Sequence, residues 1–529
     1  MQLVETLAKE AKNRQVQRRF RLHRRGYSMP SPALAAIAAL PQADLKSIFN
    51  TDPDRLSKLV LTQGPIRFDW SKTHLTDNLM AGFLALAEEQ GFAARRDALF
   101  AGEAVNNTEG RAAEHPAERG EGHPDSVAHA KMLHARMRGL IDAIEAGALG
   151  EIRHILHIGI GGSALGPDLI VDALDGDGVR YDVAIVSNVD GTALERAIEG
   201  FDPHATLIAI ASKTFTTSET MLNAASAINW MVEGGVDDPY GRVIALTAAP
   251  DRAMEWGVDE TRILPFAESV GGRYSLWSSI GFPAALALGW DAFESLLEGA
   301  AEMDRHFRLT DPAQNIPLIA AFADQYYARV LGCQTRAVFA YDERLALLPS
   351  YLQQLEMESN GKAVKLDGSP VDGPTAPITW GGVGTDAQHA VFQLLHQGTI
   401  ITPVEFIAAI EPGHTLDPAH HRALLVNCFA QGAALMRGKA NVDDPARAYP
   451  GNRPSTTILM DDVTPHALGA LIAFYEHRTF ANAVLMGINP FDQFGVELGK
   501  EIAKSIETDG PTGFDPSTMA LIEIALGDG

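Results

Sequence analysis

Short, almost unbroken apolar runs mark the middle of the chain: ILHIGIGG at 155–162, VAIVSNVDG at 183–191, ATLIAIASKT at 205–214 and VIALTAAP at 243–250. Stretches of helical spacing separate them, and a helix-like run at 126–147 leads into the first. Runs apolar on both faces, alternating with helices, predict βα units around a buried parallel sheet. Before about residue 120 the pattern is mostly helical, with apolar positions at helical spacing over 76–98 and a turn signal, TDPD, at 51–54. After about residue 286 long helical patterns return, with further short apolar runs at 336–341, 399–408 and 455–460 that predict a second α/β layer. The Gly/Pro/Asp-rich stretch 366–387 reads as a long irregular loop, a kind of segment that often carries function.

Composition narrows the class. The 529 residues are 46% hydrophobic and 21% charged, which excludes wholesale disorder, a collagen-like chain and a coiled-coil rod. A net charge of −24 argues against binding nucleic acid or an anionic membrane by bulk attraction, although a local pocket of donors still suits a small anion. Cys333 and Cys428 are too few for a disulfide framework or a four-thiolate zinc site and read as buried thiols. No apolar stretch is long enough for a membrane span, and the basic N-terminus lacks the apolar core of a secretory signal. The expectation is a soluble cytoplasmic enzyme or binding protein.

Candidate chemistry collects at strand ends. GIGGSALGP (159–167) follows an apolar run and precedes a helical one, so its amides can approach an anion at a helix N-terminus. It also fits the loose dinucleotide fingerprint, but the next strand ends in Ser187-Asn188 where an acidic ribose ligand is wanted, with Asp190 two residues later. SKTFTTSET (212–220) sets Ser212, Thr214, Thr216, Thr217 and Ser218 around Lys213. Alone it is equally a helix-capping cluster; two such strings at successive strand ends favour a phosphate monoester. GGRYSLWSSIG (271–281) offers Arg273, and QQLEMESNGK (353–362) places Gln354 and Glu358 four apart on one helical face. AQHAVFQLLHQG (387–398) holds His389 and His396 seven apart on one face, with His389 in a first turn facing a pocket. FDQFGVELGK (491–500) ends in Lys500, and the spacing of His414, His420 and His421 matches no zinc pattern.

Read together with NNTEGRAAEH (106–115), these strings resemble the glucose-6-phosphate isomerase (phosphoglucose isomerase) family over most of the chain. The resemblance implies an α/β fold of two SIS-type domains with parallel-core sheets flanked by helices, plus an N-terminal helical region. With boundaries at the pattern changes, the larger domain takes 1–120 and 286–529 and the smaller 121–285. It implies reversible isomerisation of glucose 6-phosphate to fructose 6-phosphate, a homodimer with shared active sites, and no metal or nucleotide cofactor. It assigns phosphate binding to Gly162, Ser163, Ser212, Lys213, Thr214 and Thr217, and substrate binding to Gln354. Glu358 becomes the base, Arg273 the cation facing an enediolate, and His389 with Lys500 the ring-opening groups. Two segments depart from the family pattern, WGGVGTDAQH (380–389) and HPAERG (115–120). The rivals are a sugar-phosphate sensor without catalysis and an NAD-dependent oxidoreductase resting on GIGGSA alone.

Overall fold

The computed structural model describes residues 31–176, 179–510 and 513–526, so the basic N-terminus lies outside the described residues. The chain divides into two units, one ending at Pro490 and one starting at Phe491. Within the first, β3 (His154–Gly159), β4 (Asp182–Val186), β5 (Thr206–Ala211), β6 (Val243–Thr247) and β7 (Ile263–Pro265) form a parallel sheet in the order β4-β3-β5-β6-β7. Every residue of β3, β5 and β6 is buried, as their unbroken apolar runs require. The chain leaves β3 towards β4 and returns past it to β5. The loops after β3 and β5 therefore diverge from one point and open a crevice at the carboxyl ends of the strands.

A second sheet has the order β1-β2-β11-β10-β8-β9. Its parallel part is β8 (Thr335–Tyr341), β9 (Ile378–Val383), β10 (Val404–Ala409) and β11 (Ser455–Met460). Two expectations need correction. The region before residue 120 is not only helical: β1 (Val60–Gln63) and β2 (Ile66–Asp69) form a hairpin, and β2 runs antiparallel against β11. Its alternation, Ile66 and Phe68 inside and Arg67 outside, spans too few residues to stand out beside the helical periodicity that follows. The stretch 366–387 is not all loop, since it contains β9. That strand lies so close to β8 that a Cβ at Gly381 would sit 1.8 Å from the Val338 carbonyl oxygen. The glycines that make the segment look irregular are what let it join the sheet.

The helix Pro465–Met486 runs through the interior, with every residue from Ala467 to Met486 buried. It packs against the helices Trp290–Leu309 and Ile316–Gln325. The unit from Phe491 holds two helices, Glu497–Asp509, which carries Lys500, and Pro516–Leu526. No helix among the described residues is long and apolar enough to cross a membrane. Among them, no group of three or more His, Cys, Asp or Glu side chains is placed to hold a metal ion.

Gly381→Ala is expected to push β9 off β8 and destabilise the protein by about 1–3 kcal/mol. Gly139→Ala, exposed on the helix Pro124–Glu145 with open space at its Cβ position, is expected to stabilise by about 0.5–1 kcal/mol. Urea unfolding of the two variants beside the parent checks both signs.

Candidate active site

The crevice is built from neighbouring strand ends. Gly159 of β3 pairs with Ala211 of β5, so the loops that follow, 160–164 and 212–217, emerge side by side. Each feeds a helix, Leu165–Leu174 and Ser218–Glu233, whose N-cap residues, Ala164 and Thr217, make no side-chain capping bond. In the second loop the Ser212 and Thr217 hydroxyls lie 3.2 Å apart and those of Thr214 and Thr216 2.8 Å apart. Phe215 between them has φ +52°, a strained conformation for a residue with a Cβ. Its buried ring, 6.1 Å from that of Trp256, holds the loop in that shape. Asp190, the nearest acid to a dinucleotide's ribose position, instead caps the helix Gly191–Ile198 by accepting from the Thr192 amide at 3.0 Å.

The far wall comes from two other segments. A Cβ on Gly162 would lie 2.4 Å from the Arg273 amide nitrogen, so the β3 loop rests directly on the backbone that presents Arg273. A Cβ on Gly161 would lie 2.9 Å from Gln354 Nε2, which puts that amide over the same loop. Arg273 is buried; its Nε donates to Ser359 Oγ at 2.7 Å and its Nη2 to the Pro490 carbonyl at 2.5 Å. Its Nη1 lies 3.7 Å from Glu358 Oε2. Gln354 and Glu358 lie four apart in Gln353–Glu358, which is a π-helical turn and not an α-helical one, a form often found at functional sites. The wider turn sends Glu356 inward to Arg336 and to Thr379, whose hydroxyl donates at 2.7 Å, while Glu358 stays partly exposed beside Arg273. Lys362 Nζ donates to the Glu358 carbonyl at 2.6 Å and closes the end of the turn.

Lys213 donates to the carbonyls of Glu268 at 2.5 Å and Val270 at 3.0 Å, tying the β5 loop to the segment that leads into Arg273. Burial, and then the Arg111 guanidinium, lower the Lys213 ammonium to about 8, against the pull of Glu109 and Glu268. Sequence reasoning gave no role to Arg111, Ser359 or Lys362, although all three lie inside quoted strings. Their partners are 86 residues away for Ser359 with Arg273 and 157 for Arg111 with Glu268.

His389 stands elsewhere. It lies in the last turn of the helix Gly384–Ala390, not the first, because β9 runs to Val383 and leaves room for only a short helix. The chain breaks at Val391 before a second short helix, Phe392–Gln397, so His389 and His396 do not share one continuous face. His396 Nε2 pairs with Gln431 Oε1 at 2.8 Å. His389 is exposed and lines an open groove of about 1170 Å³ with Gln388, Gln393, His396 and Arg437. Glu356 binds Arg336 and Thr379 at the start of β8 and β9, whereas Tyr341, at the end of β8, binds Gln388 next to His389. Five residues of strand, about 17 Å, separate those ends. One chain therefore gathers Gly162, Ser163, Ser212, Lys213, Thr214, Thr217, Gln354, Glu358 and Arg273 around one crevice and leaves His389 outside it. Lys500 belongs to the second unit.

Two helix N-termini, a hydroxyl loop and a carboxylate beside a guanidinium are groups able to hold a small anion and to move a proton. The fold and site are those of an α/β enzyme. A sequence profile of the phosphoglucose isomerase family matches residues 69–522. The glucose-6-phosphate isomerase of Rhizorhabdus wittichii is 74% identical over 492 residues, covering 93% of this chain and 98% of that protein. The glucose-6-phosphate isomerase of Zymomonas mobilis is 66% identical over 492 residues, covering 93% and 97%. The crystal structure of a glucose-6-phosphate isomerase from Chlamydia trachomatis superposes with a TM-score of 0.85 at 30% identity, over 94% of this chain and 99% of that one. The chain belongs to the phosphoglucose isomerase family.

The Lys213 ammonium sheds its proton as pH rises through about 8, and with it one attraction for an anion. Inorganic phosphate, titrated calorimetrically from pH 7 to 9.5, is expected to bind progressively more weakly above pH 8. In Lys213→Met the affinity is expected to be lower throughout and to show no fall above pH 8, where the phosphate is already the dianion.

Proposed function

We propose that the chain interconverts D-glucose 6-phosphate and D-fructose 6-phosphate through an enediolate, without a metal or nucleotide cofactor. The observation that carries this reading is the Glu358 carboxylate 3.7 Å from the Arg273 guanidinium, beside two anion-seeking loops, in a member of this family. Aldose–ketose conversion removes a proton from the carbon next to a carbonyl and returns it to the neighbouring carbon. Glu358 is the base that carries the proton between C2 and C1. Arg273 offsets the negative charge that develops on the two oxygens. The loops of Gly162-Ser163 and Ser212–Thr217 hold the phosphate and so fix the reacting carbons. Gln354 orients the sugar hydroxyls, and His389 and Lys500 open the ring. The two sheets support a division into a smaller SIS-type domain, 121–285, and a larger one from 1–120 and 286–529. Cys333 and Cys428, both buried and neither in a disulfide, are at home in a reducing cytoplasm.

We further propose a homodimer in which each site takes His389 from the partner. The support is geometric: within one chain the base and the histidine belong to opposite ends of the same strands.

A coupled assay on the purified protein is expected to show interconversion of the two sugar phosphates with no added cofactor; a requirement for NAD would overturn the reading. Glu358→Gln is expected to bind sugar phosphate nearly as the parent does and to lose about 10²–10⁴-fold or more in turnover. Shared sites are tested by refolding inactive Glu358→Gln and inactive His389→Ala proteins as a mixture. In a mixed dimer one site collects both defects and the other neither, so activity should reappear. Activity that stays at the level of the separate mutants, with mixed dimers shown to be present, rejects sharing and leaves the isomerase reading standing.

A further inference from the structure

Ser359 follows the base directly, is fully buried, and has no part in the chemistry described above. Its hydroxyl oxygen accepts from Arg273 Nε at 2.7 Å and lies 2.9 Å from the Tyr274 hydroxyl. Tyr274 is itself held: the His115 ring stacks on it with centroids 4.6 Å apart, and the Arg273 guanidinium carbon lies 5.5 Å from its ring centre. The Ser359 bond and the bond from Nη2 to the Pro490 carbonyl grip the guanidinium at two of its nitrogens. A planar group held at two points cannot rotate about its long axis, and Nη1 is left on the side of Glu358. The residue that sets the angle of Arg273 is thus covalently next to the carboxylate that Arg273 faces. Any shift of the turn that moves Glu358 moves the anchor of Arg273 with it.

We propose that Ser359 is a positioning residue that keeps the Arg273 guanidinium in register with Glu358, so that the cation meets charge that exists only once the proton has been removed. The proposal rests on the isomerase reading and predicts where the loss appears. A guanidinium out of register weakens binding of the enediolate while leaving binding of the ground-state sugar phosphate intact.

The test compares Ser359→Ala, Ser359→Cys and Tyr274→Phe with the parent. Four quantities are measured: kcat, KM, affinity for a sugar-phosphate hydroxamate that mimics the planar enediolate, and affinity for a sugar-alcohol phosphate that does not. For Ser359→Ala, kcat is expected to fall about 10²-fold with KM unchanged, the size of loss that follows from a small misplacement of a reacting group. The hydroxamate should lose affinity by the same factor and the sugar-alcohol phosphate should lose none. Ser359→Cys, similar in shape with a weaker acceptor, should fall between the parent and the alanine variant. If Ser359→Ala does not fold, Ser359→Cys decides, with a smaller loss of the same selective kind expected. Equal losses for both ligands, or a lowered Tm with unchanged kcat, would mean that Ser359 only supports packing and would overturn the proposal. Inactivity of the parent would overturn the isomerase reading instead, so the two failures are distinguishable.

Discussion

Three consecutive ionisable side chains, Glu476, His477 and Arg478, sit inside a helix that has no exposed face, and the site depends on how they are paired. A buried charge costs several kcal/mol unless partners replace its water, and here partners do so in both directions along the molecule. Glu476 accepts from Trp277 Nε1 at 2.8 Å and from Arg119, and Arg119 reaches Asp304 at 2.6 and 2.7 Å. Asp304 also meets His477 Nε2 at 2.6 Å. On the other side Arg478 pairs with Asp324 at 2.5 Å and Glu405 at 2.7 Å, Glu405 with Arg336 at 3.0 Å, and Arg336 with Glu356. One branch ends at Trp277, four residues past Arg273. The other ends at Glu356, two residues before Glu358. A single buried helix thus anchors both members of the carboxylate–guanidinium pair, and Asn360 adds a bond to the helix's Thr479 carbonyl at 3.1 Å.

Rigidity of this kind suits the proposed proton transfer, which tolerates little error in distance, and the hydroxyl-loop side is arranged differently. Its hydroxyls lie on a loop held by one buried ring at Phe215 and one partly buried cation at Lys213. Lys213 donates to two carbonyls of the segment that leads into Arg273, so this loop and that segment are tied together.

The departing segment HPAERG illustrates a limit of motif reading. It matched poorly and carried no candidate, yet its Arg119 is central to the buried network, with a guanidinium that burial alone would make less basic and that the Asp304 and Glu476 carboxylates hold above its ordinary value. The signal was absent because its acidic partners are 185 and 357 residues away. Ser359 is a similar case: a serine beside a glutamate looks like any polar residue until a guanidinium from a distant loop is found on it.

By itself the sequence determined what is local. Unbroken apolar runs specify buried parallel strands, glycines and hydroxyls at their ends specify the loops that follow them, and the order of the motifs identifies the family. Periodicity misread segments where neighbours override it: the short hairpin β1–β2, the glycine-lined β9 and the stretch around His389, where the helix breaks at Val391. Tertiary structure alone decided which side chains meet. It brought Arg273 to Glu358, drew Lys213 onto backbone carbonyls and set His389 at the opposite end of the strands from the base. The physical reason is that pairing distance and burial arise from packing between elements hundreds of residues apart, and a linear pattern records neither.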